Sequence, residues 1–233
     1  MTPLDSLIDY IFAQENASPL AQEFAGWMRE SRRYRTFAET YKDKIRRKYR
    51  LAQSDDGVKD LRCELETAAI LLREERFTLK YEKYASLKQR RPDFTVTFKT
   101  HTPFNVEVRR VRGRELDDAG TEASVNKLMA VVCDKVGQMP PAVVNLLWMV
   151  AEHEITESDL TNVLTTLRLL AERKTEDFFT RRGFASATDF LRQYRHLSGV
   201  VVRRDGAGFL WLNALARHKP PPEMATAIRR LSS

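Results

Sequence analysis

The sequence is poor in cysteine, with only Cys63 and Cys133 among its 233 residues. Both lie in apolar, helix-like stretches, which excludes a disulfide scaffold or a cysteine zinc site and favours a reducing compartment. Long hydrophobic runs are also missing, since the longest, residues 142–151, is interrupted by Asn145 and reaches about half of the roughly 20 residues that span a bilayer. The first twelve residues, MTPLDSLIDYIF, lack the basic start and apolar run of a secretory signal. We therefore expect a cytoplasmic protein that does not bind membranes.

Histidine is scarce as well, and no familiar catalytic motif surrounds any of the four histidines. They are scattered along the chain, at His101, His153, His196 and His218. Catalysis by serine or cysteine needs a nucleophile beside a histidine, and no HExxH, CxxC or GxSxG pattern occurs. Walker loops and GxGxxG are absent too, which removes the best support for nucleotide chemistry. Carboxylates remain as the candidates for chemistry.

The overall composition is that of a folded, soluble, basic protein. Hydrophobic residues make up 42% and charged residues 30% of the chain, as in ordinary globular domains. Its length predicts one large domain, or one domain with a sizeable extension. Lysine and arginine number 39 against 32 aspartate and glutamate residues, a net charge of +7. The bases are mostly arginine, which suits contacts with phosphate or carboxylate, although many basic proteins never bind nucleic acid.

The first fifty residues follow a helical pattern and concentrate the basic residues. Apolar positions recur at three-to-four spacing between residues 4 and 53. Residues 29–50 interleave ten bases with four aromatic residues. This pattern fits either a solvated helix face with its aromatic side chains turned inward or a helix that follows a phosphate backbone. Because SDDG at residues 54–57 interrupts it, we expect an N-terminal helical extension over residues 1–56.

Residues 57–156 predict an α/β core. Leu61, Leu65, Ala68 and Leu72 form one buried stripe of a helix. Two later segments alternate apolar and polar residues, as half-buried strands of a hairpin do, and the apolar run 142–151 fits a strand buried on both faces. The expected elements are a helix at 58–75, strands at 77–85, 93–98 and 104–111, a helix at 121–136 and a strand at 142–151. This αβββαβ order indicates a mixed sheet flanked by helices.

The remaining residues, 157–233, predict helices and a hairpin packed on that core. Helices are expected at 157–180 and 187–194. Asp205-Gly206 is a strong two-residue turn signal between two apolar segments. Three consecutive prolines, from Pro220 to Pro222, end regular structure before a short final helix.

Two carboxylates stand out by their position in the predicted hairpin. Asp93 follows Pro92 at the opening of one strand, and Glu107 lies in the middle of the next. Arg109 is two positions beyond Glu107 and therefore on the same face. If the strands pair, the two carboxylates meet with a cation beside them.

These residues resemble a known family of nucleases. Arg90-Arg91-Pro92-Asp93 and Glu107-Val108-Arg109, in this order of elements, are similar to the motif of the PD-(D/E)XK superfamily, which has the restriction-endonuclease-like fold. The resemblance covers residues 58–151 or so. The helix segment Cys63 to Ala69 looks like the first-helix motif of that family, in which a glutamate points toward the metal. At 100° per residue, Glu64 lies roughly 80° and Glu66 roughly 120° from the centre of the apolar stripe, so Glu64 is the better candidate.

The resemblance implies hydrolysis of phosphodiester bonds in DNA or RNA with Mg²⁺ or Mn²⁺. Asp93, Glu107 and the backbone carbonyl of Val108 would supply the metal ligands. Oxygen ligands of this kind are those that hard divalent cations take. Asp93, Glu107, Arg109 and Glu64 are therefore the expected catalytic residues.

The sequence departs from the family pattern at Arg109, where a lysine is normal. Arginine keeps its charge and can clamp a phosphate, but it handles protons poorly. Either Arg109 substitutes for the lysine, or Lys127 on the following helix reaches the site, or the protein is catalytically inactive and only binds nucleic acid or a protein partner. A further alternative is a helical partner-binding protein in which the strands are over-interpreted. A homodimer is compatible with the sequence.

Overall fold

The computed structural model describes residues 3–13, 18–82, 92–112 and 121–232. The chain divides into two units, residues 1–81 and 82–233. The sequence placed a boundary at residues 54–57, whereas the structure divides the chain after Tyr81. The last two elements of the first unit are thus ones that the sequence assigned to the core.

The first unit contains four helices and a short strand among its described residues. The elements are α1 (Pro3–Phe12), α2 (Pro19–Glu30), α3 (Arg32–Leu51), α4 (Asp55–Leu71) and β1 (Phe77–Tyr81). Among the described residues, the helical character predicted for residues 4–53 is confirmed by α1, α2 and α3. The strand expected at 77–85 ends at Tyr81, and residues 83–91, with Arg90 and Arg91 of the family motif, lie outside the described residues.

Serine side chains determine where three of these helices begin. The hydroxyl groups of Ser18, Ser31 and Ser54 accept hydrogen bonds from the backbone N–H groups three residues further on. Such caps satisfy N–H groups that lack a partner within the helix. The SDDG segment therefore starts α4 instead of separating two domains, because Ser54 caps the helix and Asp55 is its first residue.

Aromatic side chains form much of the core of the first unit. Phe12, Phe24 and Tyr34 are fully buried, and Phe24 contacts both other rings edge to face, with ring centroids 5.5 Å apart in each pair. Arg33 binds the backbone carbonyls that follow α4, at Leu72, Glu74 and Phe77. Its guanidinium thus ties α3 to the end of α4.

The second unit alternates strands and helices. Its described elements are β2 (Phe94–Phe98), β3 (Thr102–Val111), α5 (Thr121–Val136), β4 (Val144–Ala151), α6 (Glu157–Glu172), α7 (Glu176–Thr180), α8 (Ala187–Tyr194), β5 (Leu197–Arg204), β6 (Ala207–Leu212) and α9 (Pro222–Ser232). The single helix expected at 157–180 is two helices, because Lys174, which lies between them, has a φ of +54° and cannot continue a right-handed helix. The other predicted helices and strands of this unit are confirmed to within a few residues.

The strands of the second unit pair into one mixed sheet in the order β2, β3, β4, β5, β6. β2 and β3 are antiparallel, with Phe94 opposite Val106. β4 lies between β3 and β5 and is parallel to both. The C-terminal hairpin continues the sheet, since β5 pairs with β4 and then with β6. β4 lies inside the sheet and is buried almost throughout, as predicted. The unit has an α/β architecture, with helices α5 to α8 packed around a shared apolar core.

Candidate metal centre

The β2–β3 hairpin positions Asp93 at the end of its ladder. Phe94, the first residue of β2, lies opposite Val106. Asp93 precedes it, and its Oδ2 atom accepts a hydrogen bond of 2.8 Å from the backbone N–H of Val108. The Asp93 carboxylate therefore adds a hydrogen bond between the strands beyond Phe94 and Val106, the last β2–β3 pair. Its partner, Val108, directly follows Glu107.

A second carboxylate, that of Glu82, lies close to Asp93. The backbone N–H of Glu82 donates to the carbonyl of Asp93 at 2.7 Å, and carboxylate oxygens of the two residues lie within 4.8 Å of each other. Glu82 has a φ of +43°, a left-handed conformation that is uncommon outside glycine. A divalent cation with oxygen bonds of about 2.0 to 2.6 Å fits between oxygens at this separation. Glu82 has no motif of its own in the sequence, because it lies within the strand predicted at 77–85.

Glu107 forms an ion pair with a lysine of α5. The Nζ atom of Lys135 lies 2.7 Å from Oε1 of Glu107, and only 15% and 12% of the two side chains is exposed. Lys135 is in the last turn of α5, two turns beyond the predicted Lys127. The pair lines a cavity of about 10 Å³ together with Pro92, Asn105 and Asn145. A largely buried ammonium thus accompanies the Glu107 carboxylate. It belongs to Lys135, a residue that the sequence did not suggest.

Two buried asparagines adjoin this pair and connect neighbouring strands. Asn105 and Asn145 are paired in the β3–β4 register, and the Nδ2 atom of Asn105 donates to Oδ1 of Asn145 at 3.0 Å. Asn145 donates in turn to the carbonyls of Pro140 and His196, at 2.8 and 3.0 Å. These bonds explain the polar interruption of the apolar run 142–151. They also fix β3 at the position from which Glu107 projects.

The other two residues of the predicted motif on β3 are Val108 and Arg109, and their burial follows the alternation expected of a strand. Arg109 follows Glu107 by two positions and is partly buried. Val108, between them, is 8% exposed and uses its N–H to bind Asp93. The structure thus brings Asp93 to the Glu107–Val108 peptide and to Glu82. Joint coordination of a metal by Asp93 and Glu107 remains a prediction.

Glu64 lies in the first unit, on α4, where it has two partners. Its Oε2 atom is 2.5 Å from Nζ of Lys48 and accepts a hydrogen bond of 2.5 Å from the hydroxyl of Tyr81. Its side chain is 16% exposed, whereas that of Glu66 is 28% exposed and pairs with Arg62. Glu64 is therefore a largely buried, ion-paired carboxylate. Its predicted role toward a metal remains a prediction.

The cysteines are unsuited to nucleophilic chemistry. Cys63 and Cys133 are both buried free thiols. Burial raises the pKa of Cys133 to about 12, even though the nearby Arg182 charge acts in the opposite direction. Because the thiolate is the nucleophile, the raised pKa disfavours Cys133 as a nucleophile at neutral pH.

No protein-family model matches this chain, and neither a curated protein nor a solved structure is significantly similar to it. Within the described ranges, no helix is long and apolar enough to cross a membrane.

Proposed function

We propose that the protein is a metal-dependent nuclease of the PD-(D/E)XK type, which hydrolyses phosphodiester bonds in DNA or RNA. The observation that carries the proposal is the position of the Asp93 carboxylate. It binds the Val108 N–H directly after Glu107, and it lies within 4.8 Å of the Glu82 carboxylate. Asp93, Glu82, Glu107 and the Val108 carbonyl are the ligands that we assign to Mg²⁺ or Mn²⁺.

The order and direction of the strands support this assignment. Along the chain, a helix, three strands, a helix and a strand follow one another from α4 to β4, which is the order that the family resemblance implies. β2 and β3 are antiparallel, and β4 is parallel to β3. Asp93 immediately precedes β2, and Glu107 lies on the adjacent strand β3. Fold alone does not fix function, so the ligands must be tested directly.

The backbone of β3 supports Val108 as a ligand. In an extended strand, the N–H and the C=O of one residue point to the same side, as in the hydrogen-bonded pairs of an antiparallel ladder. Since the Val108 N–H points to Asp93, its carbonyl is directed to the same edge. That edge is beyond the last β2–β3 pair, where the carbonyl is not needed for pairing with β2.

Each side chain then has a distinct task. A bound divalent cation would lower the pKa of a water and stabilise charge on the phosphate oxygens. Glu82, Asp93 and Glu107 would supply the negative charge that holds the cation. Lys135 provides a compact ammonium beside Glu107, and we assign to it the part of the missing motif lysine. Arg109 offers a planar fork suited to clamping a phosphate group.

Cleavage assays test the proposal. The full chain is incubated with Mg²⁺ or Mn²⁺ and with single- and double-stranded DNA and RNA, and we expect cleavage that EDTA abolishes. Asp93→Asn keeps an oxygen for the Val108 N–H but loses the negative charge, and Glu82→Gln removes the charge of the second carboxylate in the same way. Each variant should reduce cleavage at least about 100-fold, because a metal ligand loses its charge. Asp177→Asn, at an exposed position of α7, is the matched control and should cleave normally. Intact substrates with both metals, or full activity in Asp93→Asn, would refute the proposal.

The inactive alternative is favoured by one specific observation, Arg109 at the position where the family motif has a lysine, because arginine handles protons poorly. It predicts that the protein binds nucleic acid, or a protein partner, without cleaving it. Binding would then be the same for Asp93→Asn and the unmodified protein in the presence of Mg²⁺. Metal-dependent cleavage that requires Asp93 decides against this alternative.

A further inference from the structure

The net charge of the protein is concentrated on a single helix. α3 has the sequence RRYRTFAETYKDKIRRKYRL, with nine basic and two acidic residues. The whole chain has 39 basic and 32 acidic residues, which leaves 30 of each outside α3. The excess of +7 is thus equal to the excess of this one helix. A uniform solubilising charge would be distributed over many elements.

Some of these bases are used within the first unit. Arg33 binds the carbonyls that follow α4, Lys44 binds the Tyr81 carbonyl at 2.7 Å, and Lys48 pairs with Glu64. These three are only partly exposed. They account for the inward side of the helix, together with the buried Tyr34, Phe37, Ala38 and Ile45.

Five of the other six bases of α3 are exposed to solvent. The exposed ones are Arg32, Arg35, Lys42, Arg47 and Arg50. In the part of the chain that the structure describes, no carboxylate pairs with Arg32, Arg47 or Arg50. Arginines without a carboxylate partner keep their planar donors available for an external anion.

A neighbouring tyrosine organises the same surface. The ring of Tyr10 lies under the Lys42 ammonium at 5.4 Å and under the Arg46 guanidinium at 4.3 Å. Its hydroxyl donates to Asp43 at 2.5 Å, which ties one of the two acidic residues of α3 to a phenol. Aromatic support of cations in this way restricts their side chains before a ligand arrives.

We infer that the exposed basic face of α3 binds the phosphate backbone of duplex nucleic acid. A 20-residue helix spans about 30 Å, and duplex DNA carries one charge per roughly 1.7 Å of axis, so several phosphates come within reach of one face. An anionic membrane is a poorer match, because a helix that lies on lipid buries its own apolar side in the bilayer. The apolar side of α3 is already buried in protein. The inference rests on the proposed function only for the choice of nucleic acid among polyanions.

Binding to labelled duplexes tests this inference in EDTA, where metal-dependent cleavage cannot occur. The full chain is titrated against a fluorescein-labelled DNA duplex, the same duplex in RNA, and vesicles of phosphatidylserine and phosphatidylcholine, over a series of salt concentrations. The α3 variant combines Arg32→Gln, Arg35→Gln, Arg47→Gln and Arg50→Gln. The control variant loses the same charge at four exposed positions of the second unit, with Arg173→Gln, Arg181→Gln, Arg195→Gln and Lys219→Gln.

We expect the α3 variant to bind a duplex at least about tenfold more weakly at low salt. Its log K should also fall less steeply with log salt, with the magnitude of the slope smaller by about three to four. The control variant should change both quantities much less. Equal losses in the two variants, unchanged binding in the α3 variant, or no duplex binding by the unmodified protein would overturn the inference, as would α3-dependent binding to vesicles alone. Unchanged circular dichroism and melting of both variants exclude unfolding as the cause.

The two proposals fail separately. If the protein never cleaves but binds duplexes through α3, the nuclease proposal is lost and the inference on α3 stands. If cleavage requires Asp93 and duplex binding ignores α3, the inference on α3 is lost alone.

Discussion

The Lys135 ammonium on α5 lies 2.7 Å from the Glu107 carboxylate on β3, and both side chains are largely buried. The residues are 28 positions apart in the sequence. Removing one partner of such a pair leaves the other charge desolvated and uncompensated. The pair therefore couples the stability of the second unit to the charge balance of its proposed active site.

Lys135→Met keeps the length of the side chain and removes its charge. We expect it to lower the free energy of unfolding by about 2 to 4 kcal/mol, because Glu107 is left without its cation. Urea denaturation followed by circular dichroism measures the change. The double variant Glu107→Gln with Lys135→Met should recover part of the loss, and equal losses in the single and double variants would show that the pair is not coupled.

The same variant has a kinetic consequence if the protein is a nuclease. Lys135→Met should reduce metal-dependent cleavage at least about tenfold, as expected for loss of a positioned cation near the reacting phosphate. Lys127→Met, on the same helix, is the matched control and tests the lysine that the sequence suggested. Greater loss in Lys127→Met than in Lys135→Met would return the role to Lys127.

Asn145 predicts a second measurable effect on stability. It interrupts the apolar strand β4, is 2% exposed, and binds two backbone carbonyls and the side chain of Asn105. Asn145→Leu should cost about 2 to 4 kcal/mol of unfolding free energy, because several buried polar groups lose their partners. Met149→Leu, also buried on β4, conserves volume and should cost less than about 1.5 kcal/mol. Similar values for the two variants would contradict a stabilising role of the Asn145 side-chain hydrogen bonds.

The elements of the second unit could be predicted from the sequence because their signals are local. Alternation in β2 and β3, the uniformly apolar β4 and the Asp205-Gly206 turn all act over a few residues. The turn has the left-handed φ values, +49° and +88°, that such a pair favours. The signal for the helix cap at Ser54 is local too. The segment SDDG is typical of loops as well as of helix starts, so the sequence predicts a domain boundary there.

The candidate site was only partly predictable because its contacts are not local. Asp93 and the Glu107–Val108 peptide were found through a hairpin of short span. Glu82 and Asp93 lie in contact, but no periodicity of the sequence relates the two positions. Lys135 was missed because the sequence favoured Lys127 in the first turns of α5. Which turn of a helix faces a given strand depends on tertiary packing.

A methyl group added at Gly208 should strongly destabilise the hairpin of β5 and β6. It lies in β6 opposite Arg203 of β5. A Cβ added there would be 2.0 Å from the Val202 carbonyl oxygen and 3.0 Å from the Arg203 Cα atom. Both are backbone atoms, so relief requires β5 and β6 to separate. Gly208→Ala should therefore lower the free energy of unfolding by about 2 kcal/mol or more, as overpacking does where the surroundings cannot yield.

Gly26 provides the opposite case for the same substitution. It lies inside helix α2, and nothing is within 4 Å of a Cβ built at this position. Gly26→Ala should raise stability by about 0.5 to 1 kcal/mol, since alanine loses less backbone entropy in a helix. Urea denaturation of the two variants beside the unmodified protein measures both signs. If Gly208→Ala is neutral, the close approach of β5 to β6 is not what requires glycine at this position.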